Sequence, residues 1–199
     1  MEIHQLLQEQ KNYFSTQQTK DISFRKECLK KLQKELIKRE SDVIKALYND
    51  FKKSEYEAIL TETSIVLSEL KLTINKLNSW AKTKRVLPSL LNFPSSARIH
   101  KEPYGNVFII SPWNYPYQLA FAPLIGAIAA GNTIVLKPSE LTPHTSAITK
   151  EIIETVFDAK HVAVIEGGVE ISTELLENRW DYIFFTGSVS VGKIVTKAA

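Results

Sequence analysis

The sequence predicts an α/β protein: N-terminal helices, then an incomplete parallel sheet with helical crossovers, and a short β-ribbon projecting between the two. Three observations predict it. All eight prolines lie between Pro88 and Pro143 and all seven glycines between Gly105 and Gly192, so residues 1–87 hold neither helix breaker. Apolar residues in that first part recur at close to a 3.6-residue period. From Gly105 onward, short continuous apolar runs alternate with helical patterns, which is the texture of parallel strands covered on both faces.

From Asp21, the residues Phe24, Cys28, Leu29, Leu32, Leu36 and Ile37 mark one helical stripe. Ser41 is placed to cap the next helix, which carries Val43, Ile44, Leu47, Tyr48 and Phe51. Ser54 and Glu57 have the spacing of a capping box. A long helix follows, with Ile59, Val66, Leu70, Ile74, Leu77 and Trp80 expected to face inward. Each helix has a single apolar stripe and must pack against something. At Arg85 the texture changes. The stretch VLPSLLNFPSSARIHKEPYG holds three prolines, and residues 90–93 and 97–101 read as an extended pair. Leu90, Leu91 and Phe93 in that ribbon suit an oligomer contact or packing on their own chain.

Residues 106–110 (NVFII) form the first expected strand of the sheet, and an apolar helix runs from Pro116. Strands at 133–136, 161–165 and 182–185 alternate with helices at 142–157 and 170–176, and Gly187 opens a last helix. Crossovers should be right-handed, and ligands of such sheets collect at the carboxyl ends of the strands. No glycine, asparagine or proline closes the final helix before Ala199, so the sequence reads as truncated.

Composition excludes several classes. The net charge is +3 over 199 residues. Residues 1–100 carry 18 Lys and Arg against 12 Asp and Glu, but they alternate with apolar positions as solvated helix faces do, so no nucleic-acid partner is expected. No run of about 18 apolar residues is present for a membrane span. The start, MEIHQLLQEQKNYF, has no secretory signal pattern. The single cysteine forms no internal disulfide, and a cytoplasmic location is expected. Cys28 lies on an apolar helix face and reads as a small hydrophobe. The four histidines have no metal-ligand spacing, so no metal is expected.

Candidate chemistry lies just after the strands. After Ile110 come Ser111, Pro112, Trp113 and Asn114, with Pro116 beyond. Asn114 is either an amide donor to an oxygen gaining negative charge or a residue that satisfies its own turn. After the second strand come Lys137 and Glu140, where a bound nucleotide's ribose is usually held. Glu140 also suits a helix start. After Phe185 the run Gly187, Ser188 … Gly192 places glycine at a strand-to-helix turn, where backbone amides can approach a phosphate. The spacing matches neither a Walker loop nor G-x-G-x-x-G.

Taken together, GNVFIISPWNYPYQLAFAPLIGAIAAGNTIVLKPSE and FFTGSVSVGKIV resemble the aldehyde dehydrogenase superfamily, and most closely its class 3 branch of fatty and aromatic aldehyde dehydrogenases. The resemblance covers the whole chain but only the front part of a family member. It implies oxidation of aldehydes to carboxylic acids with NAD, or NADP, through a cysteine nucleophile and a glutamate-activated water. It implies that Asn114 stabilises the oxyanion, that Lys137 and Glu140 hold the adenosine ribose, and that Gly187, Ser188 and Gly192 form the pyrophosphate turn. Ser111, Pro112 and Trp113 would border the same cleft. It divides the chain into a helical part of the cofactor-binding domain (1–87), a ribbon resembling part of the oligomerisation element (88–103) and Rossmann-like NAD-binding βα units that stop before the catalytic domain (104–199). The family's nucleophilic cysteine and general-base glutamate have no counterpart in these residues. The chain alone is therefore expected to be inactive. A non-catalytic NAD-binding or interaction module and a fragment of a disrupted gene stand as alternatives.

Overall fold

A computed structural model describes residues 2–199. Helix α1 (Ile3–Ser15) turns Leu6, Leu7 and Gln10 inward. Gln10 Nε2 donates to the carbonyls of Ile134 (3.0 Å) and Ala159 (2.9 Å), tying the helix to the sheet. Helix α2 (Ile22–Lys38) starts where the carboxylate of Asp21 accepts from the Phe24 amide, and it buries Cys28, Leu29, Leu32 and Leu36. Helix α3 (Glu40–Phe51) buries Val43, Ala46 and Leu47. Its start differs from expectation: Arg39 occupies the cap position and Ser41 lies inside the helix. Ser54 does cap the next helix, accepting from the Glu57 amide at 3.2 Å.

That next helix is interrupted. A four-residue α4 (Glu55–Ala58) runs into a π-helical turn (Ile59–Thr63) and then α5 (Ser64–Ala81). The wide turn shifts the phase of the stripe. Val66, Leu70, Ile74 and Leu77 are buried as expected, but Ile59 and Trp80 are exposed, and Glu62 is turned into the interior instead.

The ribbon also differs. Its antiparallel pair is β1 (Lys84–Val86) with β2 (Ala97–Ile99), not residues 90–93 with 97–101. Leu90–Asn92 is a 3-10 turn, because the Ser89 hydroxyl accepts from the Leu91 amide. The tip leaves Leu87, Leu90, Leu91 and Phe93 exposed.

The main sheet holds β3 (Asn106–Ile110), β4 (Thr133–Lys137), β5 (Val162–Val164) and β6 (Tyr182–Phe185), all parallel, in the order β5-β4-β3-β6. The connecting helices are α6 (Gln118–Ala130), α7 (Pro143–Val156) and α8 (Val169–Leu176), and α9 (Val189–Ala198) comes after β6. Alternation along the strands splits the core in two. Val107, Ile109, Ile134 and Leu136 pack with α2, α5, α6 and α7. Phe108, Val135 and Ala163 pack with α1, Leu175 and Trp180 on the other face. Strand β6 departs from the expected double cover: Tyr182 and Phe184 are partly exposed on the edge.

Helix α6 begins two residues after Pro116 and ends at Gly131, whose φ of +95° closes the helix in a left-handed cap. There the guanidinium of Arg25 donates to the carbonyls of Thr19 (2.6 Å), Lys20 (2.9 Å) and Ala129 (3.2 Å). One buried side chain thus joins α2, the turn after α1 and the end of α6.

His161 is enclosed by the rings of Tyr13, Phe24 and Phe157. Burial pushes its pKa down to about 4, against weaker opposing effects of the Asn132 backbone and Asp158. Above pH ~6.5 the imidazole is neutral in folded and unfolded chains alike. Between that pH and about 4 only the unfolded chain takes up the proton, so stability falls as pH falls, by up to ~3 kcal/mol in total. Urea unfolding at pH 7 and pH 5 should show this loss in the native chain and a smaller one in His161→Phe. Equal losses would contradict it.

Candidate functional site

Three strand ends meet at one edge of the sheet. Ile110, last residue of β3, lies beside Lys137 of β4 and Phe185 of β6. The ladder continues one step further: the Ser111 amide donates to the Lys137 carbonyl (3.1 Å) and the Thr186 amide to the Ile110 carbonyl (3.3 Å). The segments after these strands therefore leave the sheet side by side. From β3 the chain steps outward to β4 and β5, whereas β6 lies on the other side of β3. This reversal makes the carboxyl ends of β3 and β6 a topological switch point, the place where doubly wound sheets form a ligand crevice. Ser111, Pro112, Trp113, Asn114, Lys137, Glu140, Gly187 and Ser188 all lie at or just after these strand ends, and Gly192 lies in the first turns of α9.

The side chains differ in how they are held. Ser111 is buried, and its Oγ has no hydrogen-bond partner among the described residues. Trp113 and Asn114 are exposed, between Pro112 and Pro116. The Asn114 side-chain amide makes no hydrogen bond among the described residues, so the turn is not held by that amide. It is held by a pair that the sequence motifs do not include. Glu62, fully buried, accepts from the amides of Tyr117 (2.9 Å) and Gln118 (3.0 Å) through one oxygen. Its other oxygen pairs with Lys53 Nζ at 2.5 Å, and Lys53 Nζ also donates to the Asn114 carbonyl at 3.4 Å. The sequence does carry a signal for Glu62: it occupies the 58–62–66–70 spacing of the buried stripe, with Ala58, Val66 and Leu70.

The side chain of Lys137 is almost wholly buried and pairs with Glu140 Oε2 at 2.6 Å, while Glu140 remains 40% exposed. Burial pushes the Glu140 carboxyl up. The Lys137 hydrogen bond, a backbone bond and the lysine's charge outweigh this, so its pKa lies below the ordinary value. A buried ammonium and a half-open carboxylate offer one donor and one acceptor to a diol. At the third strand end, Ser188 caps α9 by accepting from the Val191 amide at 3.3 Å. A side chain at Gly187 would run into the Phe185 ring, which also lies against Gly192. Gly187 thus lets that ring pack beneath the turn, whereas a side-chain carbon at Gly192 would meet it only at ordinary contact distance. A cavity of about 1320 Å³ lies beside β6 and α9 and shares only Gly192 with this set.

The Aldehyde dehydrogenase family model matches residues 1–199. The chain belongs to the aldehyde dehydrogenase family. It is 53% identical over 197 residues to 4,4'-diaponeurosporen-aldehyde dehydrogenase of Staphylococcus aureus, matching 99% of this chain and 43% of that protein. It is 44% identical over 193 residues to aldehyde dehydrogenase family 3 member B3 of Mus musculus, covering 97% of this chain and 40% of the mouse protein. A solved structure of Staphylococcus aureus AldH in a substrate-bound state superposes with a TM-score of 0.98 at 53% identity, over 100% of this chain and 43% of that one. Glyceraldehyde-3-phosphate dehydrogenase GapN from Methanocaldococcus jannaschii, solved with NADP, shares the fold at a TM-score of 0.84 and 23% identity, over 98% of this chain and 43% of that one. This aldehyde dehydrogenase chain spans about two fifths of the length of the curated relatives it matches. No helix among its described residues is long and apolar enough to cross a membrane.

The thiol of Cys28 lies in the helical core. Burial pushes its pKa up to about 11, with Lys31 opposing. A thiol held protonated inside a core is not a nucleophile for the crevice.

Proposed function

We propose that this chain is the dinucleotide-binding part of an enzyme that oxidises aldehydes to carboxylic acids. The observation that carries the reading is the shared carboxyl edge, with Asn114 after β3 and the Lys137–Glu140 pair after β4. Residues 104–199 would bind the cofactor, 1–87 would be the helical part of the same domain, and 88–103 would contact another subunit through its exposed leucines. A nicotinamide dinucleotide suits the edge: the unpartnered Ser111 hydroxyl and the Lys137–Glu140 pair are polar groups awaiting a polar ligand. When bound, it supplies the acceptor for the aldehyde's hydride.

Each of the chain's own residues has a distinct task in this reading. Lys137 Nζ donates to a ribose hydroxyl and Glu140 accepts from one. The ionised Glu140 repels a 2′-phosphate, which favours NAD over NADP. The amides of the Gly187–Ser188 turn face the pyrophosphate. Asn114 donates its side-chain N–H to the aldehyde oxygen as that oxygen gains charge. The nucleophilic cysteine and the general-base glutamate would come from the part of the relatives beyond the matched region. Joining residues 1–199 to the remainder of the staphylococcal relative should give a protein that forms NADH from NAD with aliphatic or aromatic aldehydes. A folded fusion that forms none would contradict the reading.

A further inference from the structure

Lys53 and Glu62 form a nearly dry ion pair: Lys53 is 7% exposed and Glu62 not at all. Removing two charges from water is costly unless each is fully engaged. Here they are engaged with one segment. Glu62 Oε2 takes the amides of Tyr117 and Gln118, immediately downstream of the Asn114 turn. Lys53 Nζ reaches the carbonyl of Asn114 itself, and it lies 4.5 Å from the centre of the Tyr115 ring, a cation–π distance. The pair therefore grips the backbone at both ends of residues 114–118.

Neither residue arrives there by default. Glu62 is turned inward within the π-helical turn Ile59–Thr63, a local widening that is common at functional sites. Lys53 comes directly after Lys52, which has a left-handed φ of +59°. Two irregular backbone features thus bring a charge from the loop after α3 and a charge from the π-helical turn onto one turn. The Asn114 amide takes no part in holding that turn and stays exposed at the crevice.

We propose that Lys53 and Glu62 are positioning residues, which fix the backbone on either side of Asn114 so that its amide is presented at the carboxyl edge of the sheet. This rests on the reading of Asn114 as the oxyanion donor. The pair touches neither substrate nor cofactor, and it acts through the turn.

The test is a set of variants in the completed protein. Glu62→Gln keeps an acceptor oxygen but removes its charge. Either single substitution leaves the other charge buried and uncompensated and risks misfolding, so Lys53→Met is combined with Glu62→Gln to give a neutral pair of similar size. Both the single Glu62→Gln and the double variant should lower kcat by ~10- to 100-fold, the scale of a misplaced catalytic group, with the KM for NAD unchanged. Each is repeated in an Asn114→Ala background, where the further loss should vanish, because residues that act through one another are not additive. Equal losses in both backgrounds, or an unchanged kcat in folded protein, would overturn the proposal. A native completed protein with no activity would sink the functional reading instead. The positioning claim is then decided by NMR on the ¹⁵N-labelled 199-residue chain. The Asn114 backbone amide should have an order parameter near ~0.85 in the native chain and below ~0.6 in Glu62→Gln. Equal values would overturn it.

Discussion

In the completed protein, Asn114→Ala should lower kcat by ~100- to 1000-fold, the usual loss when a preorganised oxyanion donor is removed. NAD affinity should not change, because the pair proposed to hold the ribose, Lys137 and Glu140, lies after β4 and Asn114 lies after β3. The physical reason is that the Asn114 amide is not spent on its own turn: Lys53 and Glu62 hold the backbone there. A steady-state comparison with the parent, following NADH absorbance, reads both quantities. An equal rise in KM for NAD would instead place Asn114 in cofactor binding. The 199-residue chain by itself should form no NADH with any aldehyde, since its one cysteine is buried with a thiol pKa of about 11. NADH production abolished by Cys28→Ser would show that the nucleophile had been misplaced.

Arg25→Ala should cost about 3–4 kcal/mol of folding stability, because two buried carbonyls and a part-buried one would lose their donors at once. Those carbonyls belong to Thr19, Lys20 and Ala129, so the loss frees the turn after α1 and the end of α6 together. Burial lowers the guanidinium pKa, with Asp21 and Glu102 opposing it. Arg25→Lys should recover only part of the loss, since one ammonium cannot reproduce a planar fork aimed at three acceptors. Urea unfolding of the three chains measures it. A difference below about 1 kcal/mol between Arg25 and alanine would show that water replaces the fork.

Much of this fold is legible in the sequence because its signals are local. Continuous apolar runs at 106–110 and 182–185 form β3 and β6 with unchanged bounds, and Ser54 caps α4. The strand-end residues are legible for the same reason: in a parallel sheet, the residues directly after each strand lie at the carboxyl edge. Two of the illegible features depend on contacts distant in sequence, and one on a local hydrogen bond. Glu62 shares the spacing of the buried stripe, but the amides that make its burial possible, those of Tyr117 and Gln118, lie 55 and 56 residues away. Arg25 resembles any other cation on a helix until the end of α6 is seen 104 residues later. The ribbon departs from expectation because leucine runs look like strand, whereas a Ser89 hydroxyl bond winds Leu90–Asn92 into a 3-10 turn.

Calorimetric titration of the 199-residue chain with NAD, beside Glu140→Ala, addresses the crevice most directly. Native chain should bind NAD weakly, through the Lys137–Glu140 pair and the Gly187–Ser188 turn. Glu140→Ala should bind it ~10- to 100-fold less tightly, the equivalent of one lost hydrogen bond to a charged group. Equal affinities for the two chains would mean that Glu140 serves only to anchor Lys137, and that the carboxyl edge of this sheet does not hold a ribose.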